Sequence, residues 1–100
     1  MPDAVERWTL EVTGRVQGVG YRDLVVDVAR ELGVAGRVWN DPSDPRRVHV
    51  VVQGPKTTLE QFRRRIGSAH GLIAPERVQR TRTEAPDPGW ADFVRVSSPR

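Results

Sequence analysis

Hydrophobic and polar residues alternate near the start of the chain. Trp8, Leu10 and Val12 are separated by polar residues, which is the period-two pattern of a strand with one buried face. After a glycine-containing segment, apolar residues recur at helical spacing up to Leu32, and the glycine that follows stands where a left-handed helix cap is expected. The pattern predicts a strand over about residues 8–13 and a helix over residues 21–32.

The middle of the chain has the pattern of a hairpin. Segments 34–40 and 48–53 are rich in the β-branched residues that strands favour. The sequence Asp-Pro-Ser-Asp-Pro between them is typical of turns. We therefore predict two strands joined by a long tip.

A second helix is predicted after Pro55, which interrupts the preceding strand. Thr57 and Glu60 have the spacing of a capping box at the start of this helix. The segment 71–75 is expected to end it. The buried face of the helix should consist of apolar residues at helical spacing: Leu59, Phe62 and Ile66.

Two further strands, over residues 78–83 and 93–96, complete the predicted elements. The order strand, helix, strand, strand, helix, strand predicts a ferredoxin-like α+β sandwich, an antiparallel sheet with two helices on one face. The last strand is an addition at the C-terminus, and the sequence does not determine which of its residues face the core. Because 100 residues is the usual size of one domain, we expect residues 1–100 to form a single domain.

The composition excludes several classes of protein. No apolar run reaches the roughly 18 residues of a membrane-spanning helix, so a cytoplasmic location is expected. The absence of cysteine excludes disulfides, thiolate metal sites and a phosphocysteine mechanism. The net charge of +3 is compatible with nucleic acid and with a small anionic substrate.

The segment between the first strand and the first helix has the composition of an anion-binding loop. Glycines 14, 18 and 20 allow successive backbone NH groups to converge, and the start of a helix adds partial positive charge. Arg22, in the first helical turn, can bind two phosphate oxygens at once. Glycines in such a position also serve tight turns, so the loop alone leaves that simpler role open.

The run from Val12 to Arg22 resembles the acylphosphatase signature, in which an apolar strand residue precedes G-x-V-Q-G-V-x-F-R. Only Tyr21 departs from it, standing where phenylalanine is commoner. The resemblance implies that Arg22 is the counter-charge of a bound phosphate. It also implies that the phosphate is surrounded by the backbone of Val16, Gln17, Gly18, Val19 and Gly20.

A second family element matches in part. Acylphosphatases carry a Gly, an aromatic residue, a small apolar residue, a polar residue and a catalytic Asn, and this chain has Gly-Arg-Val-Trp-Asn ending at Asn40. Arg37 and Trp39 depart from the pattern, and the following turn, residues 41–47, is longer and lacks glycine. The resemblance implies that Asn40 orients the attacking water, whereas its place at a strand end also suits a turn-capping role.

The resemblance implies metal-independent hydrolysis of an acyl phosphate to a carboxylate and inorganic phosphate, with no cofactor. The expelled carboxylate is a good leaving group, so positioning and charge neutralisation can suffice. An amide cannot act as a base at neutral pH, and the family is thought to use the substrate phosphate instead. His49 and His70 lie far apart without a ligand cluster, so no metal site is expected. We expect a monomer, without a membrane partner, that inorganic phosphate inhibits as product.

Three alternatives stay open at this point. RNA-recognition domains share the predicted fold, and the arginine runs 63–65 and 46–47 would suit RNA. The third strand, residues 48–52, however, has no aromatic residue on which bases could stack. A second alternative is a non-catalytic binding module of the same fold. The third, the N-terminal domain of hydrogenase-maturation carbamoyltransferases, is accompanied by cysteine-rich zinc motifs that this sequence lacks.

Overall fold

The computed structural model describes residues 3–97, which form a sheet and two helices. The elements are β1 (Val5–Arg15), α1 (Tyr21–Leu32), β2 (Ala35–Asn40), β3 (Arg47–Pro55), α2 (Lys56–Ile66), β4 (Ala74–Glu84) and β5 (Phe93–Arg95). Their order is the predicted ferredoxin-like α+β arrangement with one more strand at the C-terminus, which confirms the predicted fold class.

The sheet has the strand order β4-β1-β3-β2-β5. Its first four strands pair antiparallel, whereas β5 runs parallel to β2, with Val38 opposite Arg95. This pairing settles the register of the last strand, which the sequence left open. Phe93 faces the core, where its ring centroid lies 5.9 Å from that of Phe62.

The hydrophobic core lies between one face of the sheet and the two helices. It contains the alternating residues of β1 and β3 and the predicted stripe of α2: Trp8, Leu10, Val12, Val48, Val50, Val52, Leu59, Phe62 and Ile66. β4 contributes little beyond the partly buried Val78, in line with its predominantly polar sequence. Both helices therefore cover the same face of the sheet. The connection between β4 and β5 packs against the opposite face.

The predicted bounds of α1 are confirmed. The helix spans Tyr21–Leu32, and Gly33 adopts the left-handed conformation expected of its cap, with φ of 72°. The Gly33 NH donates to the carbonyl of Arg30 at 3.2 Å. Local sequence thus determines both ends of this helix.

The prediction of a capping box in α2 is wrong. No side chain caps the helix at Pro55, the residue that precedes it. Instead the NH of Thr57 donates to the carboxylate of Asp3 at 2.9 Å, so a residue distant in sequence satisfies one of the free NH groups of the first turn. The helix also ends earlier than predicted, at Ile66, before the segment 71–75.

The connection from β4 to β5 crosses the sheet on the face opposite the helices, because these strands lie at opposite edges. Gln53 lies on that face of β3, and its side chain donates to the carbonyl of Asp87 at 2.8 Å. This hydrogen bond attaches the connection to the sheet. The Trp90 ring packs against the guanidinium groups of Arg7 and Arg37, at 5.2 and 4.7 Å from the ring centroid. Arg37 therefore has a packing role on this face.

Candidate active site

The fold brings three strand ends to one edge of the sheet. β1 and β2 both run antiparallel to β3, and β5 runs parallel to β2, so the C-terminal ends of β1, β2 and β5 lie on the same side. The glycine loop follows β1, Asn40 is the last residue of β2, and Arg95 is the last residue of β5. Residues far apart in sequence are thereby gathered around the start of α1.

The glycine loop, residues 16–20, leaves its backbone donors free. Gly18 and Gly20 have φ of 73° and 83°, values that favour glycine even though a Cβ would meet nothing within 4 Å. Within residues 3–97, the backbone NH groups of the loop donate no hydrogen bond to a protein acceptor. The first helical bond of α1 runs from the Leu24 NH to the Gly20 carbonyl, at 3.1 Å. The loop therefore keeps unpaired backbone donors next to the start of the helix, where an anion could bind.

Arg22 lines a cleft beside this loop. The cleft has a volume of about 230 Å³, and its wall includes Val16, Gly18 and Gly20 of the loop. Arg22 is half-buried and forms no ion pair with any side chain of the described segment. The structure thus brings Arg22 and the predicted phosphate-binding loop together, with the guanidinium free to bind an anion.

Arg95 is a second cation at this cleft, and sequence reasoning missed it. Its side chain lines the cleft wall and donates to the carboxylate of Asp23 at 3.0 Å. This ion pair engages the one carboxylate of the cleft wall, which would otherwise repel a phosphate beside Arg22. The sequence offered only the position of Arg95 on a strand of unsettled register, and the parallel pairing with β2 is what places it.

Asn40 lies at the same edge but is not part of the wall of this cleft. Its carbonyl oxygen Oδ1 is buried and accepts no hydrogen bond from any described residue. The amide nitrogen is not among the buried unpartnered atoms and donates to no described acceptor, so it retains access to solvent. Of the two amide atoms, the nitrogen is therefore the one that a water molecule can reach.

Gln17 joins the glycine loop to the tip of the β2–β3 hairpin. Its amide nitrogen lies 2.8 Å from the carbonyls of Asp44 and Arg47 and 3.3 Å from that of Asp41. The sequence assigned Gln17 to the phosphate-binding loop through its backbone, and nothing in the pattern predicted this use of its side chain. The tip and the loop consequently form one hydrogen-bonded unit.

Asp41 organises the tip from within. Its carboxylate accepts hydrogen bonds from the NH groups of Ser43 and Asp44, both at 2.8 Å, and lies 2.7 Å from Nε2 of His49. The hydrogen bond with His49, followed by those from the two NH groups, lowers the pKa of Asp41 to about 2. The His49 ring also stacks on Trp39, with centroids 5.6 Å apart, so both residues support the strand end that carries Asn40.

Tyr21 has a structural reason to differ from phenylalanine. It is buried at the start of α1, and its hydroxyl donates to the carbonyl of Ile66 at 2.7 Å. Burial raises the pKa of Tyr21 well above its usual value, so the group stays a neutral donor. The hydroxyl ties the start of α1, next to Arg22, to the end of α2.

A wider groove, of about 450 Å³, lies between α2 and β4, away from the motif residues. Arginines 63, 64 and 80 line it, and Arg80 packs over the ring of Trp8 at 4.5 Å from its centroid. No group of three or more His, Asp or Glu residues within 3–97 could hold a metal ion. No helix in this range is long and apolar enough to cross a membrane.

The ferredoxin-like sandwich, with a glycine loop and Arg22 at the start of α1, places the chain among the small α+β sandwich proteins. The comparison with known families specifies the class further. The acylphosphatase family model matches residues 8–94. The chain belongs to this family, and its enzyme class is acylphosphatase.

Relatives and solved structures agree with this assignment. The chain is 34% identical over 92 residues to an acylphosphatase of Frankia alni, a match that covers 92% of this chain and 79% of the relative. It is 41% identical over 66 residues to one of Lactobacillus johnsonii, covering 66% of this chain and 70% of the relative.

Its fold matches the crystal structure of acylphosphatase from Bacillus subtilis with a TM-score of 0.82 at 28% identity, covering 91% of this chain and 98% of the other. It is also similar to 12% of the chain of full-length HypF, solved in a phosphate- and nucleotide-bound form. That match has a TM-score of 0.79 at 26% identity and covers 97% of this chain.

Proposed function

We propose that this chain hydrolyses acyl phosphates without a metal, with the phosphate held by residues 16–20 and Arg22 and the attacking water positioned by Asn40. The proposal is supported chiefly by one observation: Arg22 and three residues of the loop line the same cleft, and neither the loop NH groups nor the guanidinium has a partner among residues 3–97. Such donors bind an anion without first breaking an existing hydrogen bond.

The phosphate would be held by neutral and charged donors together. Backbone NH groups converge on the equatorial oxygens, and the Arg22 fork neutralises charge that spreads over them as the leaving group departs. The Asp23 carboxylate, engaged by Arg95 at 3.0 Å, competes less for Arg22. The cleft therefore favours the charge distribution of the transition state.

The water would be oriented by the amide nitrogen of Asn40. An NH donor occupies one lone pair of the water oxygen and leaves the other for attack on phosphorus. As the new oxygen–phosphorus bond forms, the bond from phosphorus to the acyl oxygen breaks, and the carboxylate leaves with the electron pair. One water proton passes to a phosphate oxygen, so the products are a carboxylate and inorganic phosphate, and no protein base is required.

The test is hydrolysis of acetyl or benzoyl phosphate by the purified chain, in the presence and absence of EDTA. We expect turnover in both conditions, because the proposed positive charge comes from backbone NH groups and Arg22. Loss of activity in EDTA with recovery in Mg²⁺ would show that a metal is required.

The same proposal includes four further properties of the chain: single-domain folding of residues 1–100, a monomeric state, a cytoplasmic location and inhibition by inorganic phosphate.

One observation favours nucleic-acid binding as a second candidate function. The arginines of the groove between α2 and β4 form a local basic surface, with Arg80 held in place over Trp8. A gel shift with single-stranded RNA at physiological salt tests it, using an Arg64→Gln and Arg80→Gln double variant as the control. Binding that the double variant abolishes would support this function, and weak retention equal in both proteins would exclude it.

A further inference from the structure

We propose that the side chain of Gln17 is a positioning residue for the hydrolytic reaction: it fixes the hairpin tip, and with it Asn40, against the phosphate-binding loop. The inference rests on the proposed function, since it concerns the alignment of the water with the phosphate. Gln17 would thus act twice, through its backbone NH toward the phosphate and through its amide toward the tip.

The tip presents a ring of carbonyl groups that needs a donor at its centre. The carbonyls of Asp41, Asp44 and Arg47 converge on the single amide nitrogen of Gln17. That nitrogen carries two protons, so the two contacts of 2.8 Å are the strong ones and the contact of 3.3 Å is secondary. Without Gln17 the ring would lose the only side-chain donor that a described residue directs into it.

The tip has no internal means to replace this donor. The tip spans residues 41–47 and contains no glycine. Two of its backbone NH groups already donate within the tip: that of Asp41 to the Arg47 carbonyl at 3.0 Å and that of Arg47 to the Asp44 carbonyl at 3.2 Å. When the Gln17 amide is lost, the Arg47 and Asp44 carbonyls each keep one backbone bond, whereas the Asp41 carbonyl loses the only donor that a described residue directs to it, so the closed tip is destabilised. The conformation of the tip therefore depends on a residue of the phosphate-binding loop.

The consequence for Asn40 follows from its position. Asn40 is the last residue of β2 and is bonded directly to Asp41, whose carbonyl faces Gln17 and whose carboxylate is held by His49. When the tip shifts, the peptide that carries the Asn40 amide shifts with it. Because in-line attack tolerates little misplacement, a displacement of about 1 Å can lower the rate about a hundredfold.

The experiment compares two glutamines with the same local role. Gln17→Met removes the amide and keeps the length and volume of the side chain. The control is Gln53→Met, since Gln53 also donates to a loop carbonyl, that of Asp87 at 2.8 Å, but on the sheet face opposite the helices. We expect Gln17→Met to lower kcat at least tenfold with the affinity for inorganic phosphate within about twofold of wild type. Gln53→Met should keep kcat within about twofold while lowering thermal stability.

A second readout does not depend on activity. The tip contains Arg46 and Arg47, so the rate of tryptic cleavage after these residues, followed by mass spectrometry, reports how often the tip opens. We expect faster cleavage there in Gln17→Met and not in Gln53→Met. If the wild-type chain proves inactive, the proposed function fails, whereas the cleavage and phosphate-affinity measurements still decide whether Gln17 holds the tip.

A charged variant tests the hydrogen bond itself. In Gln17→Glu a carboxylate would face the carbonyl ring at neutral pH, and protonation would restore one O–H donor. Its kcat relative to wild type should therefore rise as the pH falls, whereas the ratio for Gln17→Met should stay constant with pH. The inference is overturned by a folded Gln17→Met protein with wild-type kcat, by equal losses of rate and phosphate affinity in that variant, or by the absence of acid recovery in Gln17→Glu.

Discussion

The two loops that meet at the candidate active site use their hydrogen-bonding groups in opposite ways. In the glycine loop, residues 16–20, no backbone NH group donates to a described protein acceptor. In the hairpin tip, residues 41–47, backbone and side-chain groups are extensively paired, through Asp41, Asp44, Gln17 and the NH of Gly14. The glycine loop has donors available for a ligand, whereas the groups of the hairpin tip already form hydrogen bonds within the protein.

This difference shows how binding and alignment can be divided between two loops. Free donors provide affinity for an anion, because no protein hydrogen bond has to break when the ligand arrives. Paired groups provide rigidity, because any displacement of the tip would leave polar groups unsatisfied. Loss of the free donors at the first loop should therefore change binding, whereas loss of a hydrogen bond that holds the tip, including those from the Gln17 side chain, should change turnover or stability.

Arg22→Gln should have the largest effect. It retains a side-chain donor but removes the charge and the fork that bind phosphate, so kcat/KM should fall about a thousandfold. Inorganic phosphate should lose its inhibition and its stabilising effect on thermal melting. The control is Arg95→Gln, which removes an equal charge from the same cleft and should lower kcat/KM less than tenfold. Unchanged phosphate binding in Arg22→Gln would contradict its role as the main counter-charge.

Asn40→Ala should lower kcat about a hundredfold or more and leave KM and phosphate affinity near wild type, because its amide is assigned to the water. The structure adds an expectation for stability. The Asn40 carbonyl is buried without a partner, so removing it should leave the melting temperature unchanged or slightly higher. A folded variant with normal kcat and raised KM would assign Asn40 to substrate binding instead.

Tyr21→Phe tests whether the Tyr21 hydroxyl contributes to the stability of the fold or to the rate of hydrolysis. The variant loses the hydrogen bond to the Ile66 carbonyl and should lower the free energy of unfolding by about 1 kcal/mol. The kinetic constants should stay near wild type, since the NH groups of the loop and Arg22 are retained. Chemical denaturation and a steady-state assay measure the two effects, and a loss of activity without loss of stability would give Tyr21 a direct role.

The smallest effect is expected from acid titration of the tip. The pKa of Asp41 lies near 2 in the folded chain and at about 3.9 in an unfolded one. Its ionised form therefore stabilises the fold fully above about pH 4, and this contribution is lost as the pH falls toward 2. In denaturation curves, Asp41→Asn should be less stable than wild type at pH 7, and the difference should shrink between pH 4 and pH 2. A difference that does not change with pH would assign the effect to packing.

Much of the fold could be predicted because its signals are local. The alternation around Leu10 and the helical spacing up to Gly33 determine where β1 and α1 lie, and both predictions are confirmed. The capping of α2 was predicted wrongly for a related reason, although the helix begins directly after Pro55 as expected. A capping box is a local signal, and here a contact from Asp3, distant in sequence, took its place.

The candidate site divides in the same way. The sequence by itself proposed the glycine loop, Arg22 and Asn40 as site residues, because each belongs to a short motif that resembles a family signature. Only the tertiary structure brought Arg95 to the cleft and the Gln17 amide into the carbonyl ring of the tip. Strand pairing and loop closure join residues separated by tens of positions, and no local periodicity encodes such contacts. The candidate residues were therefore recognisable along the chain, whereas the contacts between them were decided by the packing at the sheet edge.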